Sequence, residues 1–188
     1  MGLAISKTFK AVYEMFAGTE ARIVMIGLDG AGKTTLYQWL KSGEVMPSIP
    51  TVGFQVDSVK ISGLTLQLWD MGGQYTIRKL WKRYIEGADA LVFVVDSADE
   101  SRMAMARKEL ESMLGEPELA HVPVLILANK QDLPAAKTAS ALSADLGLGE
   151  VKNDNYIQPC VATRGEGIDD GFSWLCTAIK EHRRANAA

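Results

Sequence analysis

Hydrophobic positions along the chain fall into short runs that predict strands. Apolar residues dominate four such runs, at 22–27, 90–96, 122–130 and 156–161. The second and third runs are nearly continuous, which is typical of strands that are covered on both faces. Residues 54–61 and 64–70 instead alternate apolar and polar positions around a Ser-Gly pair, and this pattern predicts an antiparallel hairpin.

Between these runs, apolar residues recur every three or four positions, which predicts amphipathic helices. The predicted helices lie around 36–40, 103–113, 139–146 and 168–179. The alternation of strands and helices favours an α/β fold, with a six-stranded, mostly parallel sheet, one antiparallel strand and helices on both faces. We expect one domain at 19–188, preceded by a separate segment at 1–18.

Composition narrows the class of protein. The 188 residues are 47% hydrophobic, which is enough for a buried core, and the longest apolar runs have only strand length, so no membrane span is predicted. The net charge of −3 argues against a nucleic-acid-binding surface. The two cysteines cannot form a disulfide framework, and we therefore expect a reducing, cytoplasmic compartment.

The turn after the first predicted strand has the pattern of a phosphate-binding loop. Residues 27–34, GLDGAGKT, fit G-x-x-x-x-G-K-[ST], in which glycines let backbone N–H groups surround phosphates at a helix N-terminus. Lys33 is expected to reach the β- and γ-phosphates, and Thr34 to bind Mg²⁺. The predicted nucleotide contacts of this loop are Asp29, Gly30, Ala31, Gly32, Lys33, Thr34 and Thr35. The loop alone does not distinguish an ATPase, a kinase and a GTPase.

The identity of the base is predicted by the segment NKQD at 129–132, at the carboxyl end of a predicted strand. The carboxylate of Asp132 can accept hydrogen bonds from the N–H and NH₂ groups of guanine, whereas adenine offers no matching pair of donors. Asn129 is expected to brace the loop, and the stem of Lys130 to cover the face of the base. The predicted ligands are therefore GTP and GDP.

Residues in and after the second hairpin strand have the types needed for GTP hydrolysis. We expect Asp70 to hold Mg²⁺ through water and the Gly73 N–H to contact the γ-phosphate. Gln74 is the predicted catalytic residue, because its amide can orient the attacking water. Thr51, in the loop before the hairpin, is expected to complete the Mg²⁺ shell.

In these motifs the chain resembles the ADP-ribosylation factor (Arf) and Arf-like small GTPases, which have the Ras-like fold. The matching segments are GLDGAGKTT at 27–35, IPTVGF at 49–54, WDMGGQ at 69–74, NKQD at 129–132 and CVAT at 160–163. The resemblance implies that the backbone N–H of Ala162 reaches the guanine oxygen. Gly30 is more typical of an Arf-like protein than of an Arf proper, and Lys79 stands where the family usually has proline. We expect the Golgi Arf-like branch.

The N-terminal segment predicts a reversible membrane anchor. Residues 1–6, MGLAIS, match the N-myristoylation signal M-G-x-x-x-[ST], with Gly2 as the acceptor. One face of a predicted helix is formed by Phe9, Val12, Tyr13 and Phe16. A helix packed permanently on the core is the alternative interpretation of this face. The resemblance implies that GTP shifts the hairpin and expels the helix onto Golgi or other endomembranes, and that the GDP form is cytoplasmic.

The resemblance also implies protein partners. These are an exchange factor, a GTPase-activating protein and effectors of the golgin or coat type, with Phe54, Trp69 and Tyr84 at the effector-facing positions. No arginine lies between Arg22 and Arg78. We therefore expect slow intrinsic hydrolysis, accelerated by an arginine that the activating protein supplies.

Two other functions fit parts of the sequence. A P-loop nucleotide kinase would need an arginine-rich lid over two nucleotides, and the arginines of this chain are scattered. A module that holds GTP without hydrolysing it would need no water-orienting residue, and Gln74 argues against it.

Overall fold

The computed structural model describes residues 21–44, 54–61, 64–71 and 85–186, and for 54–61 and 64–71 it describes the backbone. The predicted N-terminal segment at 1–18, with the acyl acceptor Gly2, lies outside these residues. The described residues form a sheet with helices on both faces, which confirms the α/β class.

Six strands make up the sheet in the described part of the chain. They are β1 (Ala21–Gly27), β2 (Phe54–Ile61), β3 (Leu64–Met71), β4 (Ala90–Asp96), β5 (Val124–Asn129) and β6 (Asn155–Pro159). Their order across the sheet is β2-β3-β1-β4-β5-β6. Every neighbouring pair is parallel except the hairpin of β2 and β3, which is antiparallel as its sequence pattern predicts.

The helices of the described residues are α1 (Lys33–Ser42), α2 (Met103–Leu114), α3 (Ala139–Asp145) and α4 (Ile168–Asn186). Short 3₁₀ turns occur at Glu100–Arg102, Pro117–Leu119 and Leu148–Glu150. None of the described helices combines the length and apolar character that crossing a bilayer requires.

Two strands are shorter than the hydrophobic pattern predicts. Strand β5 begins after Pro123, which has no N–H to donate to a neighbouring strand and only accepts a hydrogen bond from the Leu91 N–H. Strand β6 ends at Pro159, and the Val161 N–H donates instead to the Glu166 carbonyl at 3.0 Å. This local bond folds the chain back towards α4 and closes the loop that follows β6.

The core has two halves because successive residues of a strand point to opposite faces of the sheet. On β1, Ile23 and Met25 belong to one buried cluster, while Val24 and Ile26 belong to the other. Helices α1 and α4 cover the first face, and α2 and α3 cover the second. Burial on both faces explains why these strands read as continuous apolar runs.

The loops that follow the parallel strands meet at one edge of the sheet. Gly27, at the end of β1, pairs with Val94 of β4, and Asp96, at the end of β4, pairs with Asn129 of β5. Helix α1 begins at this edge, so its first N–H groups and the positive end of its dipole lie here. An open parallel sheet binds ligands at the carboxyl ends of its strands, and the candidate site is therefore expected at this edge.

The opposite edge is held together by Asp89, the residue before β4. One carboxylate oxygen accepts a hydrogen bond from the Arg22 backbone N–H at 2.7 Å. The other accepts two from the Arg183 guanidinium, from Nε at 3.0 Å and from Nη2 at 2.7 Å. Asp89 thereby joins the start of β1, the start of β4 and the last turns of α4.

We predict that removal of the Asp89 side chain and removal of the Arg183 side chain differ in their effect on the free energy of unfolding. Asp89→Ala leaves a backbone N–H without its partner and should lower the free energy of unfolding by about 1–3 kcal/mol. Arg183→Ala removes only a half-exposed ion pair and should cost less than about 1 kcal/mol. Urea unfolding of both variants checks this. An equal loss in the two variants would mean that the bond to the Arg22 N–H contributes nothing.

Candidate nucleotide-binding site

The turn between β1 and α1 is built to receive an anion. Lys33 is buried, and its ammonium donates to the Leu28 carbonyl at 2.7 Å, so that the positive charge is held within the turn. Helix α1 has no side-chain cap at Gly32 and no acidic residue in its first turn. The positive end of the helix dipole lies at this first turn, and it favours a negatively charged ligand.

Only glycine fits at position 32. Its φ is +99°, a conformation that side chains rarely adopt. A Cβ there would also lie 2.3 Å from the Asn129 amide nitrogen. The close approach brings the turn after β1 against the end of β5.

Asn129 joins three segments of the chain. Its side-chain amide nitrogen donates to the Ala31 carbonyl at 2.8 Å, and its side-chain oxygen accepts from the Ala162 N–H at 2.9 Å. The Cys160 thiol lies 3.7 Å from the same oxygen as a weak additional donor. The side chain is only 3% exposed. Asn129 therefore braces the turn after β1, the end of β5 and the loop after β6 against one another.

Both cysteines are buried thiols. Burial raises the pKa of Cys160 and of Cys176 to about 12, because a thiolate would lose its hydration in the interior. Both thiols therefore stay neutral near pH 7, and the Cys160 S–H can donate a weak hydrogen bond to the side-chain oxygen of Asn129.

Lys130 links the ends of β5 and β4. Its φ is +67°, which is uncommon for a residue with a side chain, and such residues are enriched at functional sites. The ammonium pairs with an oxygen of Asp96 at 2.5 Å, and the other Asp96 oxygen accepts from the Ala98 N–H at 3.0 Å. The ammonium of Lys130 is thus fixed at the edge of the sheet where β1, β4 and β5 end, which we call the ligand edge.

Asp132 lies exposed in the turn after β5. Gln131 fixes this turn, since its side chain donates to the Ser97 hydroxyl at 2.8 Å and to the Lys137 carbonyl at 3.1 Å. The Arg164 guanidinium approaches the Asp132 carboxylate to 3.7 Å from the loop after β6. The carboxylate therefore stands at the open edge of the site, with one cation beside it.

The structure brings together most of the predicted residues that it describes in full. Asp29, Gly30, Ala31, Gly32, Lys33, Thr34 and Thr35 form the turn and first residues of α1, and they meet Asn129, Lys130, Asp132 and Ala162 at the same edge. Sequence reasoning missed the partners Asp96, Arg102 and Arg164. A polar residue directly after the apolar run at 90–95 was a usable signal for Asp96, whereas the two arginines carry no pattern.

The predicted residues of the hairpin are described by their backbone. Asp70 lies near the carboxyl end of β3, which neighbours β1 in parallel, and so belongs to the ligand edge. Phe54 pairs with Met71 and Val56 with Trp69, which places Phe54 and Trp69 on one face of the hairpin. The predicted residues Thr51, Gly73, Gln74 and Tyr84 lie outside the described residues.

We predict that the Asn129 side chain is a large contributor to stability. Asn129→Ala leaves a buried carbonyl and a buried N–H without partners, and should lower the free energy of unfolding by about 2–4 kcal/mol. The matched control is Asn155→Ala, whose amide donates to the Asn153 carbonyl at 3.0 Å in a half-buried position. That variant should lose less than about 1 kcal/mol in the same urea titration. Equal losses in the two variants would contradict the bracing role.

Comparison with known proteins identifies the family. The model of the ADP-ribosylation factor family matches residues 6–179. ADP-ribosylation factor J of Dictyostelium discoideum is 42% identical over 178 residues, which span 94% of this chain and 95% of that protein. The solved structure of the Arl6 BBS3 small GTPase from Trypanosoma brucei, with the bound nucleotide analogue GppNp, superposes with a TM-score of 0.77 at 33% identity and covers 87% of this chain and 99% of that chain. The chain thus belongs to the ADP-ribosylation factor family of small GTPases.

Proposed function

We propose that this chain is a switch that binds GTP and GDP at the ligand edge of its sheet and recruits effectors to a membrane in the GTP form. The observation that carries the proposal is the position of Asn129. The buried Asn129 side chain is hydrogen-bonded to Ala31, in the turn between β1 and α1 (the phosphate turn). It is also hydrogen-bonded to Ala162, in the loop after β6 (the base loop). The two halves of a nucleotide site are thereby set at a fixed separation. The bound GppNp of the Trypanosoma relative supports a triphosphate as one ligand.

The nucleotide would lie along this edge in one direction. Its phosphates would meet Lys33 and the uncapped N-terminus of α1, where the charges are favourable. Asp132 would accept from the N–H and NH₂ groups of guanine. The Ala162 N–H already donates to Asn129, so the guanine oxygen would share that donor with the asparagine. Lys130 would cover the base with its stem while Asp96 holds its ammonium.

We infer that a magnesium ion would bind at this edge. Thr34, in the first turn of α1, and Asp70, near the end of β3, would supply the hydroxyl and carboxylate oxygens that Mg²⁺ prefers, and Thr51 would complete the shell. Bound with the nucleotide, the ion would neutralise charge on the phosphates. One or two protein ligands suffice for such an ion, because phosphates and water provide the others.

Hydrolysis would use residues that follow the hairpin. Gln74 would orient the attacking water and the Gly73 N–H would contact the γ-phosphate. Arg102 lies close to the phosphate turn, but it is already engaged by Asp29 and Asp99. We therefore infer that the accelerating arginine comes from an activating protein, and that the isolated chain hydrolyses GTP slowly.

The nucleotide state would control membrane attachment. We infer that Gly2 carries a myristoyl group and that the segment 1–18 adds a second, amphipathic contact, because one acyl chain alone binds membranes only marginally. Exchange of GDP for GTP, promoted by an exchange factor, would move the hairpin and release this segment to Golgi or other endomembranes. Phe54, Trp69 and Tyr84 would then receive effectors of the golgin or coat type, as in the Golgi Arf-like branch.

We predict that membrane binding depends on both the nucleotide and the N-terminal segment. The N-myristoylated full chain should co-sediment with liposomes when loaded with GppNp and stay in the supernatant when loaded with GDP. The control is the chain that lacks residues 2–16, which should stay in the supernatant in both states and exchange GDP more readily without membranes. Equal sedimentation of the two nucleotide forms of the full chain would refute the switch.

A further inference from the structure

A carboxylate stands in the middle of the phosphate turn. Asp29 lies between Gly27 and Lys33, and its side chain is 54% exposed. A negative charge at this position repels a polyphosphate, and the repulsion grows with the charge of the nucleotide. A site that binds a triphosphate therefore needs a positive charge that offsets the charge of Asp29.

Among the described residues, the guanidinium of Arg102 provides this positive charge. Its Nη1 lies 3.1 Å from a carboxylate oxygen of Asp29. The same guanidinium lies against the next residue of the turn, since Arg102 Nη2 would be 3.8 Å from a Cβ placed on Gly30. Arg102 therefore covers the outer side of the turn at the point where the carboxylate lies.

The guanidinium is held in place from its own side. Arg102 Nε donates to a carboxylate oxygen of Asp99 at 2.5 Å, and the Arg102 backbone N–H donates to the other oxygen at 3.3 Å. The Ser101 hydroxyl also donates to Asp99, at 2.7 Å. These hydrogen bonds, from Ser101 first and then from Arg102, hold the pKa of Asp99 below its usual value. The Asp99 carboxylate is therefore a stable anchor for the arginine.

The backbone of Arg102 is connected to the core through α2. Arg102 immediately precedes α2, and Met103 and Ala106 of that helix are buried against the sheet. Asp29, in contrast, lies in an exposed turn, and among the described residues its carboxylate forms an ion pair with Arg102. We infer that the Asp29 carboxylate is positioned by the Arg102 guanidinium, which Asp99 holds at the start of α2.

We propose that Arg102 is a positioning residue that turns the Asp29 carboxylate outwards and neutralises it, so that the site favours a triphosphate over a diphosphate more than it otherwise would. The inference rests on the proposed nucleotide binding and deepens it. The phosphates are contacted by other groups, and Arg102 acts on them through Asp29. Removal of its charge should therefore weaken GTP binding more than GDP binding, because GTP carries the larger negative charge.

The test compares the affinities of GppNp and GDP, in Mg²⁺, for the full chain and its variants. Arg102→Gln should weaken GppNp binding by about threefold to fivefold and GDP binding by less than about twofold, in line with a partly exposed charge interaction. Arg102→Lys keeps the charge and should retain most of the preference for the triphosphate. The difference between the nucleotides should shrink when the ionic strength is raised, because salt screens exposed charges.

The charge-neutral pair separates electrostatics from structure. The double variant Asp29→Asn, Arg102→Gln removes both charges and should restore the ratio of the two affinities to near the wild-type value. Arg107→Gln is the matched control, since Arg107 lies on the helix that Arg102 precedes and pairs with Glu111 and Glu150, away from the turn. It should leave the ratio unchanged.

Two results would overturn the inference. One is an equal loss of affinity for the two nucleotides in Arg102→Gln, which would indicate a purely structural role. The other is a double variant in which the ratio of the GppNp affinity to the GDP affinity stays below the wild-type value. A wild-type chain that binds neither nucleotide would refute the proposed function itself, and would be distinguished from both.

Discussion

The ligand edge of this protein depends on the hydrogen bonds of one buried amide. Asn129 donates to Ala31 and accepts from Ala162, so that loops 98 and 33 positions away along the chain are fixed to the end of β5. Because the side chain is removed from water, each unmade bond would cost the full desolvation of a backbone group. The fold and the site therefore share one interaction, and the fixed spacing that a nucleotide needs is a property of the folded core.

Electrostatics then gives the edge its preference for an anion. The uncapped start of α1 and the buried ammonium of Lys33 provide positive potential on the inner side of the turn. Asp29 opposes it, and Arg102 and Asp99 hold that opposing charge on the outer side. Lys130 and Asp96 form a second pair at the base loop. The charges of Asp29 and Lys130 are thus each paired with an opposite charge, whereas the ammonium of Lys33 is held by a backbone carbonyl.

The sequence predicted the architecture because the two-sided burial of parallel strands leaves continuous apolar runs, and the glycines of the phosphate turn follow from close backbone approach, as at Gly32. It also predicted that Asn129 braces its loop. It could not predict that β6 ends at Pro159. The Val161 N–H donates to the Glu166 carbonyl, and the hydrophobic pattern does not distinguish this local hydrogen bond from continued pairing with β5. Nor could it predict that Arg102 reaches Asp29 or that Arg183 reaches Asp89, because these pairs form between segments that only the folded chain brings together.

We propose that Asp132 selects guanine at this edge of the sheet. Displacement of a fluorescent GDP analogue from the full chain, in Mg²⁺, by unlabelled GDP and by ADP tests this selection. A site whose carboxylate must be paired by the base rejects a base without those donors by roughly 10⁴-fold. We expect GDP to displace the analogue and ADP to leave it bound, even at a large excess. Equal displacement by ADP and GDP would mean that Asp132 does not select the base.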